Sequence, residues 1–327
     1  MNVKPRPSAG FFFAQVPGRA GITGMRKRGM ADQKHLSPQA WAELLLLGVI
    51  WGASFLSIRI ALDTIPVMTS VLHRVFWAML ALWLVVWMRK MTIPRSPRVW
   101  FAFLFMGLLN NAIPFSLMAW GQLYIETGLT SILNAATAVF GVLIAAFFFR
   151  DERLTRARAV GVGLGFAGVT IAIGLQNFAN FNLQSIAQLA IIAGTISYAL
   201  AGAWARAMLS ELSPVVAAAG MLTGSTVMIL PITLLVDGVP TLNLPLITWA
   251  AITYYALIAT AGAYLLYYRV LAMAGAGNLM LVTLVIPPVA IILGSLLRDE
   301  ALPPQAFLGF AVLALGLVIL NRSRPRD

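Results

Sequence analysis

Phe147-Phe148-Phe149-Arg150-Asp151-Glu152-Arg153-Leu154-Thr155 closes one long apolar run, and Leu297-Arg298-Asp299-Glu300-Ala301-Leu302 closes another 148 residues later. At that offset Leu154 falls on Leu302, Gly161 on Gly309 and Gly168 on Gly316. Upstream, Pro66 falls on Pro214, Leu123 on Leu271 and Leu133 on Leu281; an offset of 147 brings Trp51 onto Tyr198 and Arg59 onto Arg206. Matches spread over the whole length mark an internal duplication. Each half carries five apolar segments, and five is odd. If each segment crosses a membrane, the second half enters from the opposite side, which is the inverted-repeat plan of secondary transporters with a site near the midplane.

Composition supports the membrane. Of 327 residues 60% are hydrophobic and 10% charged, against about 45–50% and 25% in soluble domains. A soluble chain of this length could not hide that much apolar surface. About 20 apolar residues cross the hydrocarbon core. Windows of that kind fall near 41–62, 66–88, 98–120, 128–149 and 158–175, then 186–208, 214–236, 246–268, 278–297 and 304–321. Several begin with Pro in the first turn, where a missing N–H costs nothing. The expected fold is all-α and membrane-embedded: a basic tail at 1–40, a five-helix repeat over 41–176, a second over 185–321 and a short basic tail at 322–327.

Charge sets the expected orientation. The net charge of +12 is concentrated in the first 40 residues, in the loops at 89–98 and 150–158, and in Arg206, Arg269 and the final arginines. The other set of loops carries Asp63, Glu126, Asp237, Asp299 and Glu300, with Arg298 as its loop cation. The positive-inside rule places both termini in the cytoplasm of a bacterial-type inner membrane. A basic tail beside membrane spans gives no reason to expect nucleic-acid binding. There are no cysteines, so disulfides, thiolate metal sites and cysteine nucleophiles are excluded.

Trp51-Gly52-Ala53-Ser54-Phe55 in the first span resembles the opening of the drug/metabolite transporter superfamily, EamA type. The 147–155 segment with the glycine-spaced span after it is similar to the same family, and Ile286-Pro287-Pro288 through Leu302 resembles its second copy. The resemblance covers residues 42–321. It implies ten helices around a central cavity, alternating access, and often export of amino acids or related metabolites. One departure stands out: the first copy has Ala138-Val139 near the place of Pro287-Pro288, which leaves a proline bend without a cause there.

Candidate site residues come from polar and aromatic groups at mid-span. Thr127, Thr130, Asn134 and Thr137 share one face of the fourth span. Asn110 and Asn111 sit at the centre of the third, where lipid cannot satisfy two amides. Trp51, Tyr198 and Tyr254 lie at the centres of spans one, six and eight. The expected cavity is therefore neutral, hydrogen-bonding and aromatic-walled; the bland alternative is interhelical hydrogen bonding, worth about 0.6 kcal/mol per contact. His73 and Arg74, in the outer part of span two, are candidates for a proton or gating role, against the plainer reading that they bond helix ends and outer carboxylates. Arg74 facing lipid would cost ~2.5–3.5 kcal/mol, so it is expected to point inward. Trp83, Trp87, Trp100, Tyr267 and Tyr268 read as an aromatic belt.

No GxSxG, carboxylate pair or His cluster lies within the spans, so an enzyme is not expected. No P-loop occurs, and neither a cofactor nor a metal is expected. The expected partners are a small-molecule substrate and lipid, with the chain acting as a monomer. Neutral or zwitterionic solutes suit the cavity; amino-acid export leads, followed by other metabolites or amphipathic drugs, then a sugar or nucleotide sugar, which would want a cavity cation.

Overall fold

The computed structural model describes residues 37–150, 152–174 and 182–322. The tail to residue 36, Asp151 and the final residues 323–327 lie outside the described residues.

Among the described residues ten helices follow in sequence: α1 Pro38–Leu62, α2 Val67–Met88, α3 Pro97–Gly121, α4 Thr127–Phe148, α5 Arg156–Ile173, α6 Leu183–Met208, α7 Pro214–Val236, α8 Leu246–Gly275, α9 Val282–Arg298 and α10 Pro304–Arg322. Nine of these are long and apolar enough to span a bilayer; α9 has 17 residues and is preceded by a helical turn at 276–279. The starts follow the sequence signals. Ser37 caps α1 by accepting from the Ala40 N–H at 3.1 Å, and Pro38, Pro97 and Pro214 occupy first-turn positions. Leu45, Leu46 and Val49 of α1, Leu234 and Leu235 of α7, and Leu296 and Leu297 of α9 are exposed. In water that surface would cost about 25 cal/mol per Å²; against lipid it costs little.

Packing follows a two-fold relation between the repeats. α2 lies on α7 and α5 on α10, each helix against its own counterpart. Other contacts come in exchanged pairs, α1 with α8 matching α6 with α3, and α1 with α9 matching α6 with α4. The α5–α10 seam shows the inversion at atomic scale. A Cβ on Gly168 would strike the Gly309 backbone, and one on Gly161 would strike that of Gly316. Repeat-related glycines thus pair crosswise, so the two helices run antiparallel. Small residues are what let backbones approach this closely in lipid. Gly220 and Gly224 do the same for α7 against Phe103 and Leu104 of α3, whereas Gly163 faces open space.

Four helices are irregular, and they too are related by the repeat. α3 carries a π-helical turn at Leu108–Ala112 and α8 one at Tyr254–Gly262, covering equivalent positions at the 148 offset. Pro114 gives a cause in α3, since its ring would clash with the carbonyl four residues back in a regular helix. α4 breaks at Ala135-Ala136, where bonds tighten to Ala136 N–H on Leu133 C=O and Val139 N–H on Ala136 C=O. The start of α9 breaks likewise at Met280-Leu281. The bend in the first repeat therefore exists without a proline, and in the second it lies upstream of Pro287-Pro288.

The ends differ in charge. At the acidic end Asp237 Oδ2 accepts from the Thr69 N–H at 2.7 Å and its hydroxyl at 2.9 Å, and Asp63 pairs with Arg59 at 2.7 Å and Arg298 at 2.5 Å. At the basic end Glu43 pairs with Arg269 at 2.6 Å, and Glu152 with Arg158 at 3.0 Å and Arg206 at 3.6 Å.

Candidate substrate cavity

A cavity of about 210 Å³ lies where the irregular parts of α3, α4, α8 and α9 meet α1 and α6. π-turns and helix breaks free backbone groups from the regular ladder, and such groups recur at functional sites. Here they are used. The Trp51 indole N–H donates to the Ala259 carbonyl in the α8 π-turn at 3.1 Å, and the Ser197 hydroxyl donates to the Leu109 carbonyl in the α3 π-turn at 2.7 Å. These two bonds are near repeat-related, each tying the first helix of one repeat to the third of the other.

The walls are mostly apolar and aromatic. Trp51 meets the Tyr267 ring at 5.9 Å between centroids, and Tyr198 meets Phe115 edge-on at 6.4 Å. The polar wall is sparse. Asn110 donates from its amide to the Tyr264 hydroxyl at 3.1 Å and to Asn111 Oδ1 at 3.2 Å. Thr137 donates to the Asn134 backbone carbonyl at 2.7 Å. The Asn134 side-chain oxygen is buried without a hydrogen-bond partner among the described residues.

Arg74 supplies the charge. It lines the cavity, its Nε donates to Thr260 Oγ1 at 3.0 Å, and its guanidinium carbon stands 3.8 Å over the Phe115 ring. Thr260 in turn donates to the Tyr255 carbonyl, five residues back, at 2.7 Å. No Asp or Glu lines the cavity, and among the described residues none pairs with Arg74. Arg74 therefore does point inward, but it meets none of the acidic-end carboxylates.

The cavity brings together Trp51, Asn110, Asn134, Thr137, Tyr198 and Arg74. Other candidates lie outside it. Asn111 is fully buried and donates to Ser225 of α7 at 2.8 Å. Thr130 donates to the Glu126 carbonyl of its own helix at 3.1 Å. The Tyr254 hydroxyl reaches the Ile50 carbonyl at 3.2 Å. The His73 ring accepts from the Trp77 indole N–H at 3.1 Å and stands edge-on to Trp249. The wall also holds residues that the sequence did not single out, among them Phe115, Thr260 and Tyr264, and it holds Tyr267, expected in the belt. Tyr264, Tyr267 and Tyr268 at helical spacing were the available signal. Trp87, by contrast, is exposed as a belt residue should be.

Ten helices in two inverted repeats around a polar-spotted cavity define a multi-pass membrane transporter. The model of the EamA-like transporter family matches residues 40–174 and again 185–322; the chain belongs to that family, and it is a transporter, not an enzyme. It is 26% identical to a "Probable terminal-alkyne amino-acid exporter" of Streptantibioticus cattleyicolor over 290 residues, covering 88% of this chain and 94% of that one. It is 24% identical to a "Probable amino-acid metabolite efflux pump" of Escherichia coli, covering 84% and 92%. A solved crystal structure shares the fold with a TM-score of 0.63 at 14% identity, over 86% of this chain and 96% of that one.

Proposed function

We propose that this transporter exports amino acids across a bacterial-type inner membrane by alternating access, with both termini and the basic end in the cytoplasm. The observation that carries the reading is the cavity between the repeats: one guanidinium, neutral amides and hydroxyls, aromatic walls and no carboxylate. A zwitterion with an aliphatic or aromatic side chain suits such a wall. The names of the two relatives agree with an amino-acid cargo. The excess of Lys and Arg at one end supports the orientation. The protein works as a monomer and equilibrates its solute without a proton cycle, because the wall holds no group that titrates near neutral pH.

Feeding cells with dipeptides tests this reading, since peptidases release the amino acids inside. Expression should lower intracellular phenylalanine and leucine and raise growth resistance to their dipeptides. Unchanged pools for every amino acid tried, with the protein present in the membrane, would count against it.

A further inference from the structure

We infer that Arg74 is the subsite for a substrate carboxylate. The inference rests on the cavity being the transport site and names what that site recognises.

Arg74 has already committed part of its guanidinium. Its Nε is committed to Thr260 and one guanidinium face to Phe115. Thr260 is itself fixed, because its hydroxyl proton goes to the Tyr255 carbonyl. The acceptor lone pair that meets Arg74 is therefore held in place by the α8 π-turn. These contacts set the plane of the guanidinium and leave the terminal nitrogens without a protein partner among the described residues. Two parallel N–H groups in a fixed plane form the fork that matches a carboxylate.

A permanent charge within a membrane-spanning helix is costly unless paired, and intramembrane charges mark substrate pathways. The usual protein answer is a paired Asp or Glu, and among the described residues none pairs with Arg74. Phe115 and Thr260 leave the positive charge uncompensated, so the partner is expected to arrive with the solute. An unpaired cation in a wall of neutral amides, hydroxyls and aromatic rings is complementary to the carboxylate end of an amino acid. Trp51, also in the wall, offers an aromatic surface to an apolar side chain or a cation–π share of the ammonium. Free amines and cationic drugs meet Arg74 as a like charge, and neutral sugars leave it unpaired. The cavity thus selects monocarboxylates, amino acids above all.

Purified protein in liposomes, loaded with unlabelled L-phenylalanine and exchanging against labelled L-phenylalanine, tests this by competition. L-phenylalaninamide keeps the ammonium and side chain but lacks the carboxylate. It should compete about ten- to hundredfold more weakly than L-phenylalanine, the scale of a lost charged hydrogen bond. Arg74→Gln should slow exchange by a similar factor, and Arg74→Lys should recover part of it as a point charge without the fork. Equal competition by the amide, or wild-type exchange in Arg74→Gln, overturns the inference while leaving the transport reading intact. If Arg74→Gln fails to insert, competition on the wild-type protein decides alone. Failure of the wild type to exchange any of a panel of apolar and polar amino acids overturns the transport reading and this inference together.

Discussion

Glu300 holds the start of α4 from the other repeat: its two carboxylate oxygens accept from the Thr127 N–H and from the Thr127 hydroxyl, both at 2.8 Å. The geometry is built locally. Asp299 ends α9 in the left-handed region at φ 53, turning the chain back, and a Cβ on Gly294 would collide with the Glu300 carboxylate. A carboxylate at a helix N-terminus satisfies free N–H groups and meets the positive end of the dipole. The repeat-related Glu152 does neither, spending itself on Arg158 and Arg206. Two copies of one motif are thus in different states at opposite ends of the molecule.

Loss of that latch should open the acidic end. A lost helix cap costs about 0.5–2 kcal/mol, enough to shift an equilibrium between two conformations several-fold. In this cysteine-free chain, a single cysteine at Ile58 in the cavity wall reports access. Glu300→Ala should raise its labelling by an impermeant thiol reagent from the acidic side by about threefold or more. Unchanged labelling would show that Glu300 caps α4 without gating it.

The two mid-span amides of α3 and α4 should separate by phenotype. Asn134 lines the cavity with a free acceptor, so Asn134→Leu should reduce exchange about tenfold or more with little change in melting temperature. Asn111 donates to Ser225 and is packed at 0% exposure; its change to Leu removes a buried hydrogen bond and overfills the α3–α7 contact. It should lower the melting temperature by several degrees, from a loss of about 1–3 kcal/mol. The opposite assignment of the two phenotypes would refute the cavity boundary drawn here.

An imposed pH gradient should not drive accumulation. His73 lies off the cavity, with a ring nitrogen accepting from Trp77, and protonation there would break that bond. Liposomes with a pH gradient and no substrate gradient should exchange without concentrating solute. Concentrative uptake lost in His73→Gln would establish His73 as the proton carrier, and uptake surviving in that variant would require a proton site elsewhere.

Cysteines at Lys90 and Ala301 test the orientation. In intact cells with a permeable outer layer, an impermeant reagent should label Ala301→Cys and spare Lys90→Cys. The reverse pattern would invert the proposed topology, and equal labelling would argue against a fixed one.

The fold was largely legible because its signals are long and redundant. Ten apolar windows, first-turn prolines and the recurring Arg-Asp-Glu all point one way, and the Gly161/Gly309 and Gly168/Gly316 matches turned out to be the seam itself. Part of the cavity was legible from polar and aromatic groups at mid-span: Trp51, Asn110, Asn134, Thr137 and Tyr198 all line it. It was not legible in α8. A π-turn adds a residue to the turn, so each side chain beyond Tyr254 is rotated away from the face that a 3.6-residue period assigns. Tyr254 consequently leaves the wall and Tyr264 and Tyr267 enter it. Unlike α3, where Pro114 follows the π-turn, α8 has no proline to announce this. Arg74 was found to point inward, but its partners, Thr260 and Phe115, are set by tertiary packing that one helix cannot reveal.

The most direct test of the central claim is exchange itself. Purified protein in liposomes, preloaded with unlabelled L-phenylalanine or L-leucine, should take up the labelled amino acid far faster than protein-free liposomes, and the rate should fall when either amino acid is omitted from inside. If uptake matches protein-free liposomes for every amino acid offered, while the protein is folded and inserted, amino-acid transport by this cavity is contradicted.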